Sequence, residues 1–472
     1  MKNDYKIVAI GAGFGGLQAT IQAAMRGAKC ALIDKLEVGG ECLNFGCIPT
    51  KTIVRSIDTY RLVKKASIYG INVKGGIEVD FSSVMNRQKS VVKSIVERVH
   101  NGLRAMNIDF YRGIGTIISP GRVRVKLNSL IEDRDQEVDL LTENIIIGTG
   151  SMPNRLSIPG ADLPGVLTNR EILQIKKPPK SMVVIGCSYV GVEFATIFAG
   201  MGTKVSMLGR KNFLKSSDQK LAKEVRDIMI NKQGIGIDIG LTILEIDEGN
   251  DGLYRVVFEK DGQRKSAEGE IVLMATGRSP FTANLFNADL KIGMDGEGIA
   301  TNRHLQTNIP GIYAVGDVLN NVMLAFTAAT EGEVAADNCL GKKHSIDYSA
   351  IPRCVFTYPE LAGVGMTEEE AKGIEGLDFG VSEYPFKTTP MAEIMDETVG
   401  FTRLIFEKGS GKILGGHILG PHASELVAEM SLAVHQELTV KDMAYFLHFH
   451  PSLSENLQRA AKTGWFMEDR RG

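Results

Sequence analysis

Six cysteines in 472 residues are too few for a disulfide-built scaffold. Cys30, Cys187, Cys339 and Cys354 have no partner at a telling spacing. They read as reduced, buried thiols, which fits a reducing compartment; the cytoplasm is the expected location. An excess of one charge is also missing. Lysine and arginine number 54 against 56 acids, and the net charge of -2 argues against a face for nucleic acid or an anionic membrane. Uninterrupted apolar runs of spanning length are lacking too. Residues 6–17 are broken by glycines, and residues 182–202 carry Glu193 near their centre. Neither a signal peptide nor a transmembrane helix is expected, nor a metal site. What the chain has is length and glycine: 472 residues exceed a single core and call for about three or four domains.

The 52 glycines cluster. Residues 6–10 form a short apolar run typical of a parallel strand buried on both faces. Gly11-Ala12-Gly13-Phe14-Gly15-Gly16 follows at once, then a helical pattern over 17–26 and a strand over 29–34 ending in Asp34. A glycine turn between strand and helix lets a pyrophosphate approach the backbone, and an acid about 20 residues on binds a ribose hydroxyl. Gly11, Gly13, Gly16 and Asp34 are therefore candidate dinucleotide ligands. The unit closes on a strand over 144–149 and the turn Gly148-Thr149-Gly150.

A second cycle begins after Pro178-Pro179, a linker signal. Residues 182–185 read as strand, Gly186-Cys187-Ser188-Tyr189-Val190-Gly191 as turn, 192–201 as helix and 204–208 as strand, with Ser188 in place of the middle glycine. This half also ends in a Thr-Gly turn, Thr276-Gly277, so an internal duplication provides two nucleotide-binding units and two different dinucleotides are expected. Where an acid would select NAD, Gly209-Arg210-Lys211 stands. A missing acid with added positive charge favours a 2′-phosphate, hence NADP(H); the alternative is a solvated basic pair.

Directly after the first fingerprint comes Gly39-Gly40-Glu41-Cys42-Leu43-Asn44-Phe45-Gly46-Cys47-Ile48-Pro49-Thr50-Lys51. On a regular helix Cys42 and Cys47 would lie about 8–9 Å apart, beyond the Cα separation of about 7 Å that a disulfide tolerates. If they bond, the segment is a distorted turn, with Gly46 and Pro49 suited to distorting it; otherwise they are two buried thiols. A strained bridge in a small loop is easily reduced, which suits catalysis better than stability. Long helices are expected over 53–68 and 84–106, strands over 109–111 and 113–118, and a hairpin or meander over 123–139. Residues 310–317 read as a strand and turn ending in Asp317, and 323–339 as a helix. After Ile351-Pro352 the texture changes: alternation over 401–406 and 413–419 around Gly409-Ser410-Gly411 signals a hairpin, followed by a helix over 424–436.

These motifs, in this order and over essentially the whole chain, resemble the flavoprotein disulfide reductases (pyridine nucleotide-disulfide oxidoreductases, class I), most of all their dihydrolipoamide dehydrogenase branch. GGECLNFGCIPTK resembles the redox-active loop, IYAVGD the second FAD motif and HFHPSLSE the C-terminal acid/base motif. The resemblance implies an α/β fold: two Rossmann-like dinucleotide-binding domains, for FAD and NAD(P), and a C-terminal α+β dimerisation domain. The boundaries it implies are 1–155 (FAD, first part), 156–278 (NAD(P)), 279–348 (FAD, second part) and 349–472 (interface). It implies a Cys42–Cys47 disulfide, with Cys47 next to the flavin and Cys42 exchanging with substrate. Lys51 would lie near the flavin, paired with Glu193, and Tyr189 would cover the flavin on the nicotinamide side. Gly115, Thr149, Gly150, Asp317, Met323 and Ala325 would complete the FAD site; Gly186, Ser188, Gly191, Arg210, Lys211 and Gly277 would hold NAD(H) or NADP(H).

The resemblance also implies a homodimer in which His450 reaches the partner's Cys42 as acid/base, its imidazole held by Glu455. A histidine takes a thiol's proton near neutral pH, and a carboxylate on its other nitrogen fixes the tautomer. The expected partner is a lipoyl-carrying protein or a small disulfide, with no nucleic acid and no membrane. The rival readings are an NADPH-dependent reductase of another small disulfide, similar to glutathione reductase, and a flavin-binding sensor or structural subunit without turnover. The final residues hold no cysteine pair, against mercuric reductase and large thioredoxin reductases. Three positions depart from the branch: Glu41 replaces threonine, Phe326 histidine and Gly209 an acid. A carboxylate at Glu41 is expected to raise the pKa of Cys42 or to repel an acidic substrate.

Overall fold

The apolar runs that open the two repeats form the central strands of two parallel sheets. The computed structural model describes residues 4–128, 136–249, 251–287 and 289–469. The first unit contains β1 (Tyr5–Ile10), α1 (Phe14–Met25), β2 (Cys30–Asp34), α2 (Gly40–Phe45), α3 (Cys47–Lys64), α4 (Phe81–Ala105), β3 (Asp109–Ser119), β4 (Arg122–Leu127) and β5 (Glu137–Ile147). β1 lies between β2 and β5, with Val8 opposite Ala31 on one side and Ile145 on the other. Ile7, Val8 and Ala9 are wholly buried, which is why the run is continuously apolar and not alternating. The strands expected over 109–111 and 113–118 are one strand, parallel to β2 and then paired antiparallel to β4. The hairpin expected over 123–139 falls partly outside the described residues; its described arms pair Val125 with Val138. The helix expected from residue 53 starts earlier, at Cys47.

The second unit contains β6 (Ser151–Pro153), β7 (Val166–Leu167), α5 (Asn169–Ile172), β8 (Ser181–Ile185), α6 (Tyr189–Gly200), β9 (Lys204–Gly209), α7 (Gln219–Asn231), β10 (Gly236–Ile239), β11 (Thr242–Glu248), β12 (Tyr254–Lys260), β13 (Gln263–Gly269), β14 (Ile271–Met274) and β15 (Arg278–Pro280). Its parallel sheet runs β10-β9-β8-β14-β7. Since β7 pairs Val166 with Val272, Pro178-Pro179 falls inside this unit and does not open it. The meander β11–β13 packs Ile246, Val256 and Phe258 against Val183 and Ile185 of the sheet. β15 pairs with β6, bringing the chain back towards the first unit.

On the return, β16 (Met294–Asp295) and β17 (Gly298–Ile299) make a small hairpin. β18 (Ile312–Ala314) joins the first sheet beside β5, and α8 (Ala325–Cys339) packs against α1. The C-terminal unit contains β19 (Arg353–Val355), β20 (Glu360–Gly365), α9 (Glu368–Lys372), β21 (Phe379–Pro385), α10 (Pro390–Ile394), β22 (Phe401–Glu407), β23 (Ile413–Gly420), α11 (Ala423–His435), α12 (Val440–Tyr445) and α13 (Glu455–Asp469). Its antiparallel sheet runs β19-β20-β23-β22-β21. Phe386, Phe406, Met430 and Leu457 form its core between the sheet and its helices. The architecture is α/β with two parallel-sheet units and an α+β third. Among the described residues no helix is long and apolar enough to cross a membrane.

Candidate active site

A cavity opens at the carboxyl ends of the first sheet's strands, where open α/β sheets place ligands. At Gly11, φ is +103° and a Cβ would collide with the Gly148 carbonyl, so glycine is required to seat the Gly148-Thr149-Gly150 turn against the fingerprint. Gly13 is different: nothing lies within 4 Å of a Cβ built there, and the residue lines the cavity. Its bare side is a cradle for a ligand next to the N-terminus of α1. Asp34 ends β2 with its oxygens accepting from the Ala12 and Leu36 amides, each at 2.8 Å; burial raises its pKa. The cavity measures about 330 Å³, within the range of about 300–1,000 Å³ usual for cofactor pockets. Cys42, Cys47, Lys51, Thr149, Gly150, Tyr189, Glu193, Asp317, Met323 and Ala325 all line it. Gly115 is not in the lining; it lies against Ile10 and Ile33 within the sheet.

A break at Gly46 (φ -129°, ψ -110°) separates α2 from α3 and lets the two thiols meet. Cys42 sits in α2 and Cys47 is the first residue of α3. Pro49 distorts nothing: it lies in the first turn of α3, where no amide donor is needed. Both cysteines are free thiols joined by a side-chain hydrogen bond. That bond, assisted by Lys51, brings the Cys47 thiol down to about 7. The same bond and burial push Cys42 up. One turn along α3, Lys51 Nζ lies 2.7 and 2.9 Å from the Glu193 oxygens and 4.8 Å from the Phe356 ring centroid. Burial would lower the Lys51 pKa, but Glu193 more than offsets it, so the ammonium persists. A third thiol, Cys354, also lines the cavity, and burial raises its pKa well above the usual value.

Glu41 does not act on Cys42 as the sequence led us to expect. Its carboxylate accepts from Arg170 Nε and Nη2 (2.9 and 2.5 Å), Asn169 Nδ2 (2.8 Å) and Arg278 Nη1 (3.2 Å). Burial raises its pKa, but these donors lower it further. The upward shift of Cys42 comes from Cys47 and burial instead. Arg278 continues to Ser151 Oγ (2.7 Å), which donates to Asp317 Oδ2 (2.5 Å). Asn169, Arg170, Arg278 and Ser151 escaped the sequence reading, because their partners are distant in the chain and no local spacing announces them.

The second fingerprint repeats the first. Gly186 has φ +120°, and a Cβ on Gly191 would collide with the Gly186 carbonyl. Ser188 precedes α6 in extended backbone, and Gly277 follows β14 with φ +104°. Arg210 and Lys211 are exposed just beyond β9. Gly209 is packed: a Cβ there would lie 2.8 Å from Cys187 Sγ and 3.0 Å from Ile239 Cγ2.

In the C-terminal unit, His450 Nδ1 lies 3.0 and 3.1 Å from the Glu455 oxygens, and Glu455 also accepts from the Ser452 amide at 3.0 Å. Burial would raise the Glu455 pKa, but these partners hold it below the usual carboxylate range. The His450 side chain is 68% exposed and does not line the cavity of its own chain. Around it Phe446, Leu447 and Phe449 are exposed. His448 is instead buried against Glu429 at 2.8 Å, a structural contact. Phe326 stands exposed near the start of α8.

Residues 5–332 match the pyridine nucleotide-disulphide oxidoreductase family model, and residues 351–461 match the dimerisation domain of that family. The chain is 34% identical over 456 residues to a dihydrolipoyl dehydrogenase of Geobacillus stearothermophilus, covering 96% of this chain and 94% of that one. It is 35% identical over 456 residues to one of Bacillus subtilis (strain 168), covering 96% and 95%. Among solved structures, the HOCl-induced flavoprotein disulfide reductase RclA from Escherichia coli superposes with a TM-score of 0.84 at 27% identity, over 97% of this chain and 99% of that one. Its Cu(II) complex gives 0.85 at 27% identity, over 98% and 99%. The fingerprints, the cysteine pair and these matches agree over nearly the whole length: the chain belongs to the pyridine nucleotide-disulphide oxidoreductases, NAD(P)-dependent flavoenzymes that bind FAD.

Proposed function

We propose that the protein is a dihydrolipoamide dehydrogenase-like enzyme that passes two electrons between dihydrolipoamide and a nicotinamide nucleotide through FAD and a Cys42–Cys47 disulfide. The observation that carries this reading is the thiol pair itself, with Cys47 acidified beside the Lys51–Glu193 ion pair in the FAD cavity. When bound, FAD relays the electron pair between the nicotinamide and the disulfide.

In the direction of dithiol oxidation, His450 of the partner subunit takes the proton of one substrate thiol. The resulting thiolate attacks Cys42 Sγ, the Cys42–Cys47 bond breaks, and Cys47 leaves as a thiolate stabilised by Lys51. The second substrate thiol then loses its proton and attacks the first substrate sulfur. This closes the product disulfide and expels Cys42, which His450 protonates. Two electrons now reside on the cysteine pair, one proton is on Cys42 and one has been released. Glu455 holds the imidazole in the tautomer that this shuttle needs. The dimerisation-domain match and the exposed Phe446, Leu447 and Phe449 support a homodimer with shared sites. Four cysteines outside the pair, all free thiols, support a reducing compartment, the cytoplasm.

A second reading is favoured by Gly209, Arg210 and Lys211: NADP(H) as the nucleotide and another small disulfide as the substrate. Anaerobic reduction of the FAD-loaded protein by NADH, NADPH and dihydrolipoamide, followed by absorbance, separates the two. Rapid reduction by dihydrolipoamide is expected. Reduction by a nucleotide alone would leave the flavoenzyme reading standing and remove dihydrolipoamide as substrate.

A further inference from the structure

The short helix α2, which carries Cys42, is gripped at both ends by one dipeptide of the second unit. At its start, Glu41 accepts from Asn169 Nδ2 and from two nitrogens of Arg170. At its end, the same Asn169 Nδ2 donates to the Phe45 carbonyl at 2.8 Å, and the Arg170 guanidinium lies 5.2 Å from the Phe45 ring centroid. The grip is itself braced. Asn169 and Arg170 open α5, whose capping box joins Thr168 and Glu171, and Thr168 follows β7 at the edge of the second sheet. Arg278 ties the other side of Glu41 to Ser151 and so to Asp317. Glu41, Asn169 and Arg170 border the cavity, and the Glu41 side chain is only 19% exposed, its carboxylate taken up by Asn169, Arg170 and Arg278.

We propose that Glu41, Asn169 and Arg170 form a positioning clamp that fixes α2 and so holds Cys42 within bonding reach of Cys47, setting the reduction potential of the pair. The proposal rests on Cys42–Cys47 being the redox couple. The physical reason lies in Gly46. With the helix broken there, no continuous helix fixes Cys42 relative to Cys47; besides the hydrogen bond from the Cys47 amide to Cys42, the contact between α2 and α5 helps to set the effective concentration of one thiol at the other. A held pair favours the disulfide; a released pair favours two thiols, whatever the substrate.

The test equilibrates FAD-loaded protein with dithiothreitol redox buffers, in which the cysteine pair gains two electrons and two protons as dithiothreitol closes to its cyclic disulfide. Thiols are trapped by alkylation and Cys42 and Cys47 are counted by peptide mass spectrometry. Arg170→Ala and Glu41→Ala are expected to shift the thiol/disulfide equilibrium about tenfold towards thiols, a potential about 30 mV more positive. Glu41→Gln, which keeps an acceptor oxygen, is expected to restore most of it. A role confined to folding would lower the denaturation midpoint without moving the equilibrium. If Glu41→Ala does not fold, Asn169→Ala, which removes a contact at each end of α2, is read in its place. Folded variants with the wild-type equilibrium overturn the clamp alone. A wild-type protein whose Cys42 and Cys47 never form a reducible disulfide overturns both the clamp and the reading beneath it.

Discussion

Cys187 Sγ stands 2.8 Å from the point where a Cβ on Gly209 would lie. The thiol fills the space into which an acidic side chain at the end of β9 would have to pass, while Arg210 and Lys211 remain exposed beside it. The missing acid is therefore a packing constraint as well as a substitution. Replacing Gly209 by Glu alone is expected to destabilise the protein by about 1–3 kcal/mol through overpacking and to leave the NADH/NADPH preference nearly unchanged. Combined with Cys187→Gly, it is expected to move the ratio of kcat/KM values towards NADH by about tenfold. Arg210→Ala with Lys211→Ala should lower kcat/KM for NADPH by about tenfold and spare NADH. Equal losses with the two nucleotides would show that the basic pair is only a solvated surface.

His450 and Glu455 are joined in each chain yet lie outside that chain's own cavity. If they serve the other subunit, His450→Gln should slow dithiol oxidation by about 10²–10⁴-fold while reduction of the flavin by NAD(P)H stays near wild type. Glu455→Gln should have a smaller effect in the same direction. Mixing inactive His450→Gln with inactive Cys42→Ser subunits should recover activity, since heterodimers carry one intact site. No recovery on mixing would confine each site to one chain.

Cys47 titrates near 7 in the dithiol state, against 9.0 for an ordinary cysteine. Its thiolate is favoured by the Cys42 hydrogen bond and by Lys51. The folded protein thus sheds this proton before the unfolded chain does, and stability of the dithiol state rises with pH between about 7 and 9.0 as far as this group is concerned. That gain is lost as pH falls through about 7. Stopped-flow alkylation of Cys47 across pH should show a rate rising through a midpoint near 7. Lys51→Met should move the midpoint upward. A midpoint unmoved by that substitution would remove Lys51 as a thiolate partner.

Both parallel sheets were readable because a strand buried on both faces must be continuously apolar, and residues 6–10 and 182–185 are. The turns were readable for a steric reason: only glycine fits at Gly11, Gly16, Gly186 and Gly191, where a Cβ would strike a backbone carbonyl. The Lys51–Glu193 pair came from the family pattern, and nothing in the residues themselves announces a contact across 142 positions. The same limit hid Asn169 and Arg170. Glu41 was misjudged because adjacency in sequence suggested action on Cys42, whereas α2 turns its carboxylate towards α5 and β15. The strands β11–β13 went unread as well: β13 is mostly exposed and charged, and shows its place only through pairing with β12.

A final prediction concerns what holds the C-terminal unit against the second unit, since a shared site needs that orientation fixed. Arg403 on β22 is almost wholly buried and pairs with Asp218 (2.6 Å), Glu383 (2.8 Å) and Glu368. Asp218 is itself fully buried and caps α7 through the Lys220 and Leu221 amides. Removing one partner of such a pair costs about 3–5 kcal/mol, because the charge left behind stays desolvated. Arg403 keeps two other carboxylates, so Asp218→Ala is expected near the lower end of that range, with the lost cap contributing about 1 kcal/mol of it. Asp218→Asn, which retains a cap oxygen, should cost less. The single tryptophan, Trp465, lies in α13 of the C-terminal unit and reports its unfolding by fluorescence. In urea its transition should fall to lower denaturant in Asp218→Ala, and further than in Asp218→Asn. Coincident transitions for wild type and Asp218→Ala would mean that the cluster is screened by water and that the two units are held together by apolar packing alone.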